Sequence, residues 1–290
     1  MIGNENQRIF DDTINLKGQR MPAPLPTALS NTAKRIFSGQ GIKLPVNWHD
    51  MGPNYPQAFT PSELTTQSNA PTNLFQEPTL NRYHTSSART VGRAMEKYID
   101  GVCAAIADGI DKWMRMASVV AVTINGPIGT LLPGGVTGPL LTPLIFAKAP
   151  RKTELETEYS NAIAVAVGNG WLHWQQGLCG VLTYPLFAAA PMPMAPPTPN
   201  VPSALITCGS SGEGQLSPGA LKNAMAAAMK DDGQHAATLF DAVAQSFYAH
   251  FQTFKTSTLL TNIIGTGPVT LPPSGPVTGG SVIPTPGNFI

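Results

Sequence analysis

Apolar residues recur at helical spacing in three places along the chain. Val91, Met95, Ile99, Val102, Ile106, Ile110, Trp113 and Met116 follow steps of three and four, which keeps their side chains on one helix face. This stripe predicts a helix over residues 86–119, capped by Ser86 or Ser87. Arg93, Glu96, Lys97, Asp100, Asp108 and Asp111 fall mostly off it.

A second stripe runs through Leu155, Tyr159, Ile163, Val167, Trp171, Trp174, Leu178 and Leu182. Thr153 followed by Glu156 reads as a capping box at its start, and Pro185 as its end. Gly168, Gly170, Gly177 and Gly180 each weaken that helix by about 1 kcal/mol relative to Ala. They predict close backbone packing or a kink. A third helical region starts at Ser217-Pro218, a cap followed by proline at the first helical position. It is Ala- and Met-rich over residues 220–230 and breaks at Asp231-Asp232-Gly233. It resumes over residues 235–260 with Leu239, Val243, Phe247, Phe251 and Phe254.

Residues 1–85 show neither a helical nor a strand period. Prolines recur throughout them, each removing a backbone donor and biasing its predecessor towards extended geometry. Their apolar residues are scattered singly, too many for a linker and too sparse for a core. The segment reads as a long extended arm that pins anchors into other surfaces, with a short helix over residues 28–37.

Between the helices lie segments of another kind. Residues 119–124 are mostly β-branched and predict strand geometry, and Asn125-Gly126 predicts a tight turn. Residues 190–202 are Pro-rich and read as polyproline II. Residues 130–138 and 270–279 share a Thr-Leu-x-Pro start and a Val-Thr-Gly end. A helix, a strand-like patch and a Gly/Pro hairpin thus occur twice, which suggests a duplicated unit. The expected fold is mainly α, with amphipathic helices, short β-hairpin or Gly/Pro-rich extensions and a long N-terminal arm. Its expected divisions are residues 1–85, 86–150, 151–212 and 213–290, the last three packing as one body.

Charge sharpens this division. Charged residues are 12% of the chain, about half the usual quarter. Three stretches, residues 116–147, 159–212 and 256–290, contain none, and together hold 121 of the 290 residues. Water-facing surfaces normally carry both signs of charge, so these stretches are expected to be buried or covered by other proteins. The net charge of +1 gives no footprint for nucleic acid. The polar start of the chain does not read as a signal peptide. Amides and glycines interrupt residues 161–187, so no membrane span is expected. Cys103, Cys179 and Cys208 are odd in number and widely spaced, which predicts buried free thiols in a reducing compartment.

The candidate chemistry is sparse. Trp171, His173 and Trp174 could stack a ring ligand, or form an aromatic cluster with a hydrogen-bonded histidine. His235, Asp241 and His250 lack the spacing of metal ligands on one helix face. Trp48-His49-Asp50 has no nucleophile elbow to serve. The glycine-rich run from Cys208 to Gly214 lacks the ending of a phosphate loop. No catalytic residue, cofactor or metal is assigned, and no enzyme activity is expected. Met192, Met194, Met225 and Met229 suggest adaptable packing.

Helices carrying Val/Thr/Gly/Pro-rich tails, here residues 122–143 and 256–290, resemble virion structural proteins of large tailed phages. The resemblance covers about a fifth of the chain and carries over no functional residue. It implies a structural subunit of a virion (tail, baseplate, neck or capsid), synthesised in the cytoplasm. Such a subunit would contact other protein subunits in homo- and hetero-oligomers, without nucleic acid or membrane. The expected interaction residues are Phe10, Phe37, Trp48, Phe59, Phe75, Trp171, Trp174, Val277 and Phe289. A ligand- or partner-binding module centred on Trp171, His173 and Trp174 is the alternative, and an enzyme with an unseen site a third class.

Overall fold

The computed structural model describes residues 23–40, 79–229 and 236–290, with side chains in the second segment described from residue 92 onward. Six helices occur among the described residues: α1 Pro26–Gly39, α2 Thr79–Met116, α3 Leu141–Lys148, α4 Glu154–Gly177, α5 Pro218–Ala228 and α6 Ala236–Ser257. Thirteen short strands lie between or after them. β1 Ser118–Val119, β2 Val122–Asn125, β3 Ile128–Leu131 and β4 Val136–Thr137 follow α2. β5 Leu178–Thr183, β6 Ala190–Pro191, β7 Met194–Pro199, β8 Ser203–Ala204 and β9 Gly209–Ser210 follow α4. β10 Leu259–Leu260, β11 Ile264–Pro268, β12 Ser274–Gly275 and β13 Ser281–Ile283 follow α6. The fold is therefore mixed α/β: helices make up the larger part of it, as expected, and the short strands join into small sheets.

The three helical regions that the stripes predict form, with shifted ends, but α3 was not expected: it follows the Gly/Pro-rich run and has no charged-and-apolar stripe to announce it. α4 is capped by Thr153, whose Oγ1 accepts the Glu156 N–H at 3.1 Å. The Glu156 carboxylate reaches back to the Lys152 N–H at 2.7 Å, one residue before the cap. Ser217 caps α5 by position only, with Pro218 at the first helical position and no side-chain cap bond. α2 begins at Thr79, well before Ser86, and stops at Met116, so Val119 belongs to a strand. α1 starts at Pro26, two residues before its expected start.

α4, too, ends early. Leu178 and Leu182 are buried as the stripe predicts, but they sit on β5. A buried strand presents them inward as well as a helix would, so apolar spacing alone did not separate the two. The helical glycines mark close approaches. A Cβ on Gly168 would stand 2.0 Å from Thr142 Oγ1, and one on Gly170 2.7 Å from Leu216 Cδ2.

Six strands follow one another around a ring in chain order. β2 pairs antiparallel with β3 (Ile124 opposite Gly129), and β3 with β5 (Gly129 opposite Leu182). β7 pairs with β11 (Thr198 opposite Gly265), and β11 with β13 (Gly265 opposite Val282). Two single antiparallel bridges close the ring. Ile124 and Gly280 exchange both backbone hydrogen bonds at 2.9 Å, joining β2 to the residue before β13. The Val201 N–H, just past β7, donates to the Thr183 carbonyl of β5 at 2.8 Å. Closure removes open sheet edges.

Alternation sets which side chains fill this small barrel. Val122 and Ile124 of β2, Gly129 and Leu131 of β3, Gly265 and Gly267 of β11 and Val282 of β13 are buried. Gly129 and Gly265 make room for Tyr184 and Phe187, which stack at 5.0 Å, while Gly267 lies against Val277 and Gly280. A Cβ on Gly265 would stand 2.7 Å from Ile124 Cδ1, 2.7 Å from Tyr184 Cε1 and 2.8 Å from Phe187 Cε2. β11 thus touches β2 across the interior. The Asn125-Gly126 turn forms as expected, with Gly126 at a φ of +57°. That is the glycine-first geometry whose twist suits a two-residue hairpin.

Each long helix runs C-terminally into two neighbouring strands of the ring. α2 leads to β2 and β3, α4 to β5 and β7, and α6 to β11 and β13. This is what recurs in the fold. The two Thr-Leu-x-Pro segments are not equivalent: residues 130–138 run from β3 through β4, whereas residues 270–279 span the connection from β11 to β13. The Pro-rich run is not free polyproline II, because Met194–Pro199 is a barrel strand held by β11. The helices pack around one another in the order α2, α3, α4, α5, α6, α1 and back to α2. Bundle and barrel share a single buried apolar core.

Candidate interaction surface

Barrel and bundle meet at an aromatic cluster. Trp113 of α2 lies 5.0 Å from Trp171 and 4.8 Å from Phe289, centroid to centroid, and Trp171 lies 4.8 Å from Trp174. Phe251 and Phe254 of α6 complete it. Gln175 accepts the Trp113 indole N–H at 2.7 Å and donates to the Val136 carbonyl at 3.1 Å. Two asparagines fasten the strand ends. Asn288 Oδ1 accepts the Val119 N–H at 2.9 Å while its Nδ2 donates to the Asn262 carbonyl at 3.0 Å. Asn200 Oδ1 accepts the Ile263 N–H at 3.0 Å and its Nδ2 donates to the Leu260 carbonyl at 3.0 Å. Neither asparagine carries a sequence signal, since its partners lie far away in the chain.

This geometry relocates the expected interaction residues. Phe37, Trp171, Trp174, Val277 and Phe289 are all buried within the chain itself, so in this fold they hold it together and present nothing to a partner. Phe10, Trp48, Phe59 and Phe75 lie outside the described residues, as do Trp48-His49-Asp50 and His235. His173 is exposed while Trp171 and Trp174 are buried. The three do not form one surface, because neighbouring helix positions point in different directions. The charge-free tail ending in Ile290 is likewise held from inside the chain. Ile290 and Leu259 exchange backbone hydrogen bonds at 2.6 and 3.0 Å.

Burial pushes the Cys103 thiol up to about 12, with Asp100 adding to the effect, and burial raises Cys208 as well. Both are therefore protonated near neutral pH and poor nucleophiles. Burial also raises Tyr98 and Tyr184 above their ordinary range. Cys103 and Cys208 are buried, Cys179 is partly exposed, and all three are free. No group of three or more possible metal ligands occurs among the described residues. Gly212 packs against the His173 carbonyl, and its N–H is taken by Ser210 Oγ at 3.1 Å, so the glycine-rich loop serves packing. Lys255, nearly buried, pairs with Glu213 at 2.7 Å and ties α6 to the turn before α5.

What the barrel offers to its surroundings is uncharged, with exposed aliphatic side chains set among threonines. Among the residues whose side chains are described, thirteen of the fifteen exposed large apolar ones belong to the charge-free stretches. Those stretches make up little more than half of the residues whose side chains are described, so the excess is real. Ile128, Val181 and Val201 are 52%, 57% and 44% exposed. The pairings Ile128 with Thr183, Thr130 with Val181, and Thr183 with Val201 place them on one outer face across three strands. Met194 and Ile283 are exposed further round the ring. By contrast, the described charged residues lie on helical elements and the turns leading to them. No described helix is long and apolar enough to cross a membrane.

Comparison with protein-family models, with curated proteins and with solved structures found no match.

Proposed function

We propose that the chain is a structural or assembly subunit of a large multi-protein particle, such as a component of a phage virion. It acts through protein–protein contacts made by the charge-free outer face of its barrel. The observation that carries this reading is the concentration of exposed apolar side chains on the stretches that lack charge. An exposed apolar patch of that kind marks contact with another protein. Charges on a surface destined for burial would have to be desolvated, and here there are none to desolvate.

The test is affinity purification of the tagged full chain from its native host, with partners quantified by mass spectrometry. Ile128→Lys with Val181→Lys should release stoichiometric protein partners and further copies of the chain. Leu155→Lys, at an exposed position on the bundle, should retain them. A wild-type chain recovered alone as a monomer would count against the proposal.

A further inference from the structure

The partner of the barrel's outer face can be named more closely, resting on the reading just given. We infer that this face receives residues 41–78 of a second copy of the same chain, so that copies join head to tail.

The segment leaves the fold away from the barrel. α2, α4 and α6 all deliver their C-termini to the barrel. Residues 41–78 connect Gln40, at the end of α1, to Thr79, at the start of α2. α2 has 38 residues and rises about 57 Å, so Thr79 stands far from the barrel end at Met116. Gln40 bonds to Asp241 near the start of α6, and Ser257, where α6 meets the strands, lies about 24 Å further along. Both attachment points are therefore set back from the molecule's own barrel. To reach that barrel and return, the segment would have to span most of its extended limit of about 125 Å. The barrel of a neighbouring copy, stacked on the bundle end, is met without that stretch.

The segment also matches that face chemically. Within residues 41–78 the runs 51–62 and 64–76 carry no charge. They hold Tyr55, Phe59, Leu74 and Phe75, single anchors suited to an uncharged apolar face. Prolines at 53, 56, 61 and 71 suit the segment poorly to adding a strand, and the closed ring offers no long free edge. Recognition then falls to side chains, where Ile128, Val181 and Val201 stand ready. Donor segment and receiving face are different parts of the chain, so the contact is heterologous and builds rings or filaments.

The test uses two full-length variants and sedimentation velocity. One carries Trp48→Ser, Phe59→Ser and Phe75→Ser; the other carries Ile128→Lys and Val181→Lys. Wild type should form species of three or more copies, and each variant alone should stay monomeric. An equimolar mixture should give a dimer and nothing larger, because it contains one intact donor and one intact receiver. A synthetic peptide of residues 41–78 should break up wild-type assemblies, which keeps the test valid if a variant misfolds. The peptide should bind the barrel variant about tenfold or more weakly than the arm variant, from the loss of two buried aliphatic side chains. Self-association of the arm variant like wild type would show barrel-to-barrel pairing and overturn the inference. So would a wild-type monomer whose 41–78 segment cross-links only within its own chain. A wild-type monomer that still recruits other subunits through Ile128 and Val181 overturns the inference and leaves the proposed function standing.

Discussion

The bundle and the barrel bury their interiors by opposite means. The bundle fills space with large side chains: Trp113, Trp171, Trp174, Phe240, Phe247, Phe251 and Phe254 are all almost fully buried. Its exposed faces carry charge, including the ion pairs Lys34 with Asp100, Lys112 with Asp108 and Arg115 with Asp111. The barrel makes space with Gly129 and Gly265 and lets two aromatics fill it. Its exterior has Thr, Pro, Ile and Val but no charged group. One region is finished for water. The other is uncharged outside and leaves Ile128, Val181 and Val201 exposed among threonines, which suits a surface completed by another chain.

That contrast can be broken most severely at the junction. Trp171→Ala, in the aromatic cluster shared by both regions, should cost about 3–5 kcal/mol. Denaturant unfolding followed by far-UV circular dichroism and by the remaining tryptophans should lose stability in one transition. Two separated transitions would show that bundle and barrel unfold independently. Gly265→Val strikes the barrel alone, where the added Cβ meets three side chains closer than 3.0 Å. Overpacking of this kind costs about 1–3 kcal/mol, and hydrogen exchange should rise first in β2, β11 and β13. Thr153→Ala strikes the bundle alone by removing the cap of α4, at about 1 kcal/mol, read as a small drop in Tm. The smallest effect on folding belongs to Ile128→Lys on the barrel exterior. It should change stability by no more than about 0.5 kcal/mol and reveal itself only in association. A large loss of stability there would show that this face is structural and not a contact surface.

The helices were legible because their information is local. The stripe Leu239, Val243, Phe247, Phe251, Phe254 is buried throughout, and the Thr153 cap and the Ser217-Pro218 start mark real helix beginnings. Where the stripe continued into Leu178 and Leu182, it followed burial correctly and element type wrongly. Leu155, written into the same stripe, is exposed. The barrel was legible only at its first hairpin, where the β-branched residues before Asn125 form β2 and Asn125-Gly126 makes the tight turn. Ile264 meets Pro199, and Gly280 meets Ile124. Nothing near Pro199 in sequence announces a strand partner more than sixty residues away.

The interaction surface divides in the same way. The sequence already contained the charge-free stretches and the expectation that something covers them. It chose the largest aromatics as the anchors, and Trp171, Trp174 and Phe289 proved to be the chain's own core. By itself the sequence determined the long helices, the starts of two of them, one hairpin turn and the separation of charged from uncharged segments, because these depend on neighbours within a few residues. The tertiary structure alone decided that the three uncharged stretches close into one ring, which of their residues face inward, and that modest Ile and Val side chains form the outer face. Strand pairing and burial are set by contacts between distant parts of the chain, and no local pattern encodes them.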